Sequence, residues 1–397
     1  MKIKEVRAVS VALPRVQPRT PARRPSWATY APRGLPMNKY PEFAPFPGRS
    51  PGIGGAAVWV QVTAEDGTWG LGRCSFGPPV AWLVDHHFAP LLEGRDCFAH
   101  EYLNDLMWRS SLRHGAQGLN AVAQSGIDLA LWDLKGKLLS QPVYRLLGGP
   151  AREKIRCYCT SDDLDWSMEL GFTAFKVTNP AHYEQGIEGI NAVEEKIAQA
   201  RETVGRKAEL MYNPVMCFDV EFTIRLAERL RPYELRWLEE PLIPDDLDGH
   251  IQLARAITWI PLATGEDHHT RYAFRPLIER RCVAIVQPDL HWCGGLTEAV
   301  RIYHIAEAAG LKTILHGGAM SPEGQHFSLA MPEAPLAEYH CSTPVGVPLE
   351  EVPRLPGVPA PKDGYVVPSD APGFGMEIDA VWITPWSSGA GSPSGNG

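Results

Sequence analysis

The feature that most constrains this chain is a series of eight short apolar segments, most of them separated from the next by a stretch with helical periodicity. The segments are 155–159, 172–177, 209–212, 235–238, 261–264, 282–287, 312–315 and 336–337, and the helical stretches include 191–203, 222–231 and 296–309. Strands joined through helices pair in parallel, because the crossover carries the chain back to the end of the sheet where the previous strand began. Eight such units can close a barrel, which takes roughly 250 residues. The 397 residues present leave room for a second unit. A doubly wound open sheet shares the alternation, but no G-x-G-x-x-G follows a first strand, so a dinucleotide site has no support.

What ends these strands carries the chemistry. After the first segment, their carboxyl ends hold Lys176, Asn213, Glu239, Glu266, Asp289, His316 and Glu338. In a β/α barrel those ends converge on one face, where active sites are built. Asn213, Glu239 and Glu266 are spaced by about one strand–helix unit, so neighbouring strands would supply three hard oxygen donors. Oxygen donors without cysteine suit Mg²⁺, which keeps positions open for water and substrate. The same spacing separates Asp289 from His316. A carboxylate on one imidazole nitrogen fixes the tautomer and raises the basicity of the other.

The flanks read differently. Up to about residue 149 the pattern mixes strands (3–13 and 57–63) with an apolar helix, 119–139, expected to be amphipathic and stopped by Gln141-Pro142. Between the strands lies a Pro- and Arg-rich stretch, 14–54, holding Trp27, Tyr30 and Tyr40. So long a connection without periodicity, with that side-chain content, is expected to be a lid. From about Pro348 the chain is Pro- and Gly-rich, and residues 387–397 form a Ser/Gly/Pro tail expected to be disordered. The expected division is therefore 1–149, 150–347, 348–386 and the tail.

Charge and cysteine usage narrow the function. There are 38 basic and 46 acidic residues, a net charge of −8, with no long run of one sign, so neither nucleic acid nor a membrane surface is an expected partner. A small anion would then need a local positive site. Eight cysteines are irregularly spaced with no C-x-x-C pair, which predicts reduced, mostly buried thiols. No segment has the length and apolarity of a membrane span, and the N-terminus alternates like a strand instead of carrying a secretory signal. A cytoplasmic protein is expected.

The runs WLEEP (237–241), TGED (264–267), QPDLHWCGGLTEA (287–299) and LHGG (315–318) together resemble the enolase superfamily, mandelate racemase subgroup. SGIDLALWDLKGK (125–137) and PVYRLLGG (142–149) are similar to that superfamily's N-terminal helix and its junction with the barrel. PMNKYPEF (36–43) and the single His316 are similar to the L-rhamnonate dehydratase group, whose outline is shared by dehydratases of other sugar acids such as L-lyxonate.

The resemblance implies a modified (β/α)7β barrel under an α+β cap completed by the C-terminal segment, in a symmetric homo-oligomer. It implies Mg²⁺ on Asn213, Glu239 and Glu266, a His316–Asp289 dyad, and Glu338 near the substrate carboxylate, where a protonated form would donate a hydrogen bond. It places Lys176 and the lid residues Trp27, Tyr40 and Arg49 near substrate. By position, His268, which closely follows the third ligand, is expected to contact substrate or support Glu266, with Asp267, His269 and His291 as weaker candidates. Two departures matter. Thr178 stands where racemases carry a second lysine, which favours elimination by one base over epimerisation by His316 and Lys176. Asn213 stands where an aspartate is usual, which predicts weaker metal affinity and leaves a non-catalytic sugar-acid binder as a further reading. Glu240 is expected to point away from Glu239, because neighbouring strand residues face opposite sides, and Asp219 is too far along the loop to replace Asn213.

Overall fold

The computed structural model describes residues 1–14, 16–43 and 56–386. Arg49 and the tail 387–397 lie outside them. The N-terminal unit is an antiparallel sheet of β1 (Ile3–Val11), β2 (Val58–Ala64) and β3 (Trp69–Cys74). The barrel strands follow as β4 (Ile155–Thr160), β5 (Ala174–Val177), β6 (Glu209–Tyr212), β7 (Trp237–Glu239), β8 (Leu262–Thr264), β9 (Ile285–Val286), β10 (Lys312–Thr313) and β11 (Ala337–His340). These eight pair only in parallel with one another, in the order β10-β9-β8-β7-β6-β5-β4-β11. One side chain from each strand or its margin (Tyr158, Ala174, Met211, Trp237, Ala263, Ile285, Ile314 and Leu336) meets in a single buried cluster. Eight strands that share one apolar plug surround a common axis, which is the geometry of a barrel interior.

The last part of the chain ties the two units together. Strand β12 (Tyr365–Val366) pairs antiparallel with β4, and β13 (Ile383–Pro385) joins the outer edge of β1. The helix Leu119–Leu138 lies between the cap sheet and the barrel. It is buried on most sides, polar residues included, so the amphipathic helix expected from the sequence is instead a central one. Its polar groups bond to both layers. Asp133 accepts from the Leu71 and Phe374 N–H groups, both at 2.9 Å, whereas Asp128 accepts from Thr297 N at 2.9 Å and Ser125 Oγ from Gly294 N at 2.8 Å. Close approach needs glycine: a Cβ on Gly72 would come within 2.1 Å of Gly126 O. All eight cysteines are free and buried, as the sequence suggested.

Candidate active site

Alternation places the polar layer. Lys176, Asn213, Glu239, Gln287, His316 and Glu338 each stand two residues beyond a member of the apolar plug, so they point to the same inward side, one level nearer the carboxyl ends. On β8 that place falls to Gly265, whose φ of +142° suits glycine and carries the chain round to Glu266; a Cβ there would lie 2.7 Å from the Phe274 ring. Lys176, Asn213, Glu266, His316 and Glu338 line one cavity of about 200 Å³ with Trp27 and Arg33 of the lid segment.

Donors crowd two of the carboxylates. Glu239 accepts from Lys176 Nζ, Asn213 Nδ2 (2.9 Å), Trp237 Nε1 (2.8 Å) and Gln287 Nε2 (2.8 Å). Glu338 accepts from Lys176 Nζ (2.8 Å), Thr160 Oγ1 and Gly317 N (2.9 Å). Burial alone would raise the Glu338 pKa, but Lys176, His316 and the Gly317 N–H hold it well below the usual carboxylate range. The protonated Glu338 entertained from the sequence is therefore not what this environment favours. The reciprocal holds for Lys176: burial opposes its charge, yet Glu239 and Glu338 outweigh burial and hold the ammonium on. Thr178 bonds to Asp162 through its N–H (3.0 Å) and its hydroxyl, so no second lysine faces the cavity from β5.

The dyad is formed. His316 Nδ1 lies 2.7 Å from Asp289 Oδ2, and Asp289 Oδ1 accepts from His291 N at 2.6 Å. The Trp292 ring packs on His316 at a centroid distance of 5.4 Å and is held by its Nε1 bond to Ser75 Oγ at 3.2 Å. This leaves Nε2 as the free imidazole nitrogen, 3.8 Å from Glu266 Oε1. Burial disfavours the imidazolium, but Glu266, Asp289 and Glu338 together push the His316 pKa well up.

Glu266 is the under-partnered acid of the group. No hydrogen-bond donor reaches it among the described residues, and burial, with Asp267 and Glu239 adding to it against His316 and Lys176, pushes its carboxyl up to about 7. Glu240, which turns away from Glu239 at φ +45°, has both oxygens buried without a partner; ligand atoms of Glu240, Glu266 and Asp267 lie within 4.8 Å of one another. Buried carboxylates without donors are the chemistry that a hard divalent cation satisfies. Asn213 stands with Glu266 in the cavity wall, Glu239 lies directly behind Asn213 through the 2.9 Å bond from its Nδ2, and Asn213 Oδ1, which takes Val215 N at 2.7 Å, keeps a second lone pair. The residues present thus fit a divalent cation.

The lid segment contributes more than expected at one position and less at another. Trp27 lines the cavity, but its Nε1 is spent on Cys341 O at 2.7 Å. His268 does not line the cavity: its buried ring packs against Phe274 and His250, and burial, reinforced by His250 and His269, lowers its pKa to about 3. The TGED run turns at Gly265, which sends the residues after Glu266 outward. Asp267 and His269 line a groove beside His268 instead, and His291 sits between Asp289 and Glu323. Arg33 and His340 are cavity residues that the sequence reading missed. His340 lies on β11 two residues past Glu338, which was signal enough; Arg33 sits in an aperiodic loop and gave none.

Two family models match the chain: "Mandelate racemase / muconate lactonizing enzyme, N-terminal domain" over residues 54–148, and "Enolase C-terminal domain-like" over residues 163–382. An L-rhamnonate dehydratase of Saccharopolyspora erythraea is 39% identical over 87% of this chain and 88% of its own length. The crystal structure of a rhamnonate dehydratase from Gibberella zeae complexed with Mg superposes with a TM-score of 0.88 at 33% identity, covering 97% of this chain and 96% of that one. A racemase from Streptomyces coelicolor with bound magnesium gives a TM-score of 0.75 at 25% identity, covering 95% and 97%.

Proposed function

The chain belongs to the mandelate racemase / muconate lactonizing enzyme family of the enolase superfamily, and within it we propose that it is a Mg²⁺-dependent dehydratase of a sugar acid, an aldonate such as L-rhamnonate or L-lyxonate. The observation that carries this reading is the asymmetry of the bases: a single imidazole backed by a carboxylate faces the cavity, while Lys176 is pinned between two carboxylates and Thr178 is bound to Asp162. Epimerisation needs a base on each face of the α-carbon. Elimination needs one. The dehydratase names of the relatives support the same side.

Asn213, Glu239 and Glu266 would hold the cation, which as a Lewis acid neutralises charge building on the substrate carboxylate. Lys176 donates to the same developing oxyanion and is already oriented by Glu338, so little reorganisation is needed as charge forms. His316 Nε2 takes the α-proton, and Asp289 stabilises the imidazolium. Glu266 is the strongest of the attractions that hold a proton on His316. Engaging that carboxylate lets the imidazole start neutral. The α C–H electrons move into the carboxyl to give an enediolate. Their return expels the 3-hydroxyl, which leaves as water with the proton from His316. The enol product tautomerises to a 2-keto-3-deoxy acid and takes a solvent proton at C3. Purified protein with Mg²⁺ should convert an aldonate to a 2-keto acid carrying deuterium at C3 when run in D₂O, and His316→Ala should abolish this. Recovery of an isomer that has lost no water, or a C3 position without deuterium, would overturn the mechanism.

A further inference from the structure

The cavity has a floor and a roof, and the roof carries a cation that pairs with no acid among the described residues. Arg33 follows the short helix Trp27–Thr29, with its guanidinium 4.5 Å above the Trp27 ring. Its only hydrogen bond among the described residues is a long one to Ala28 O (3.3 Å), and Nε is buried without a partner. Asp162, the acid whose charge acts on it, is already bonded to Thr178 and to Lys196 Nζ at 2.8 Å. Residue 15 and the stretches 44–55 and 387–397 contain no Asp or Glu side chain that could supply one.

The position is built. Gly34 N donates to Asn179 O at 2.7 Å, and a Cβ on Gly34 would fall 2.3 Å from Asn179 Nδ2, so the loop is seated directly on the barrel rim. Upstream, Trp27 N donates to Asp163 at 2.8 Å, and residues 23–24 pair with Val345. Across the cavity His340 packs on Trp27 at 5.4 Å. A guanidinium has five donors and no acceptor, so what completes it must be an oxygen.

Resting on the dehydratase reading above, we propose that Arg33 binds an oxygen on the terminal carbon of the substrate, with His340 beside it, so that among the aldonates named above the enzyme selects those ending in a hydroxymethyl group, as L-lyxonate does, over those ending in methyl, as L-rhamnonate does. The carboxylate end must lie on the floor, where Lys176 and the oxygen donors are. The far end of a six-carbon chain is then the part that meets the roof.

Matched pairs that differ only in O6 test this: L-mannonate against L-rhamnonate, and L-galactonate against L-fuconate. Binding is measured by calorimetry with Mg²⁺ in a His316→Asn background, which cannot turn substrate over. The oxygen-bearing member of at least one pair should bind about tenfold more tightly or better, the range for one charged hydrogen bond. Arg33→Leu should reduce that ratio to about twofold or less while leaving the deoxy member unchanged or tighter, and Arg33→Lys should retain part of it. Equal binding within both pairs, an equal loss for both members in Arg33→Leu, or no binding by any of the four overturns the assignment. Failure of the dehydratase reading shows separately, as selective binding with no 2-keto acid formed by the parent protein.

Discussion

The floor and the roof of the cavity are built by opposite rules. On the floor most acids and bases are set by strand register, with Glu266 and Asp289 just beyond it, and most are held by several hydrogen bonds: Glu239 has four donors and Glu338 three. The roof is a loop with little regular structure whose key group, Arg33, is held by stacking and one long bond and keeps its hydrogen-bonding capacity in reserve. Saturated groups fix geometry for a reaction step, whereas unsaturated ones wait for a ligand, as Arg33 does on the roof and, on the floor, Glu266 does for a cation. Changes to the floor should therefore act on kcat or on metal binding, and changes to the roof on KM and selectivity.

The sharpest break of this contrast is Lys176→Met. It removes the floor's one ammonium and leaves Glu239 and Glu338 facing each other as buried, uncompensated charges. The expected loss is roughly 10² to 10³ in kcat, with KM for the sugar acid changed far less. A mutant that loses KM and keeps kcat would show that the lysine only binds.

Next in size is the pH dependence of Mg²⁺ binding. Burial sets the Glu266 carboxyl to about 7 in the free protein, so below that value it is protonated and the proton must leave before a cation can bind. Affinity should be full above about pH 7.5 and fall by up to about tenfold per unit below 7. Titrations from pH 8 to 5.5 should also release close to one proton per ion at the acid end. A flat profile would remove Glu266 from the ligand set. A smaller effect on the same donors is expected from Asn213→Asp, which adds a third charge to the set and should tighten Mg²⁺ by roughly tenfold or less; calorimetry giving an unchanged constant would show that residue 213 stands apart from the cation.

How much of this was legible follows the same division. Floor residues could be found because strand pairing converts spacing into position: once Asn213, Glu239 and Glu266 fall one unit apart, adjacency in space follows. His268 shows where that logic stops. It sits only two residues after Glu266, but the turn at Gly265 breaks alternation, and a local φ of +142° is not visible as spacing. The helix Leu119–Leu138 was read as amphipathic because its sequence mixes polar and apolar residues, yet Asp128 and Asp133 are buried partners of backbone N–H groups from other elements. Long-range satisfaction of that kind leaves no local pattern. Arg33 was missed for the same reason, since its meaning depends on Asp162 being occupied by Lys196, a fact of tertiary packing alone.

Gly34→Ala is the mildest change and separates roof from floor most cleanly. The added Cβ would meet Asn179 Nδ2 at 2.3 Å and Ala181 O at 2.6 Å, and the second of these is backbone that cannot rotate away. Asn179 also donates to Ala181 O and to Pro214 O at 3.0 Å, so it resists moving as well. The loop must lift from the rim by a few tenths of an ångström or more and carry Arg33 and the Trp27 face with it. None of the dyad or oxygen-donor contacts involves Gly34. The expected result is a KM raised about three- to tenfold, the cost of misplacing one charged contact, with kcat and Mg²⁺ affinity within about twofold of the parent. A matching fall in kcat would mean that closure of the roof organises the floor, and the two regions would then be a single catalytic unit.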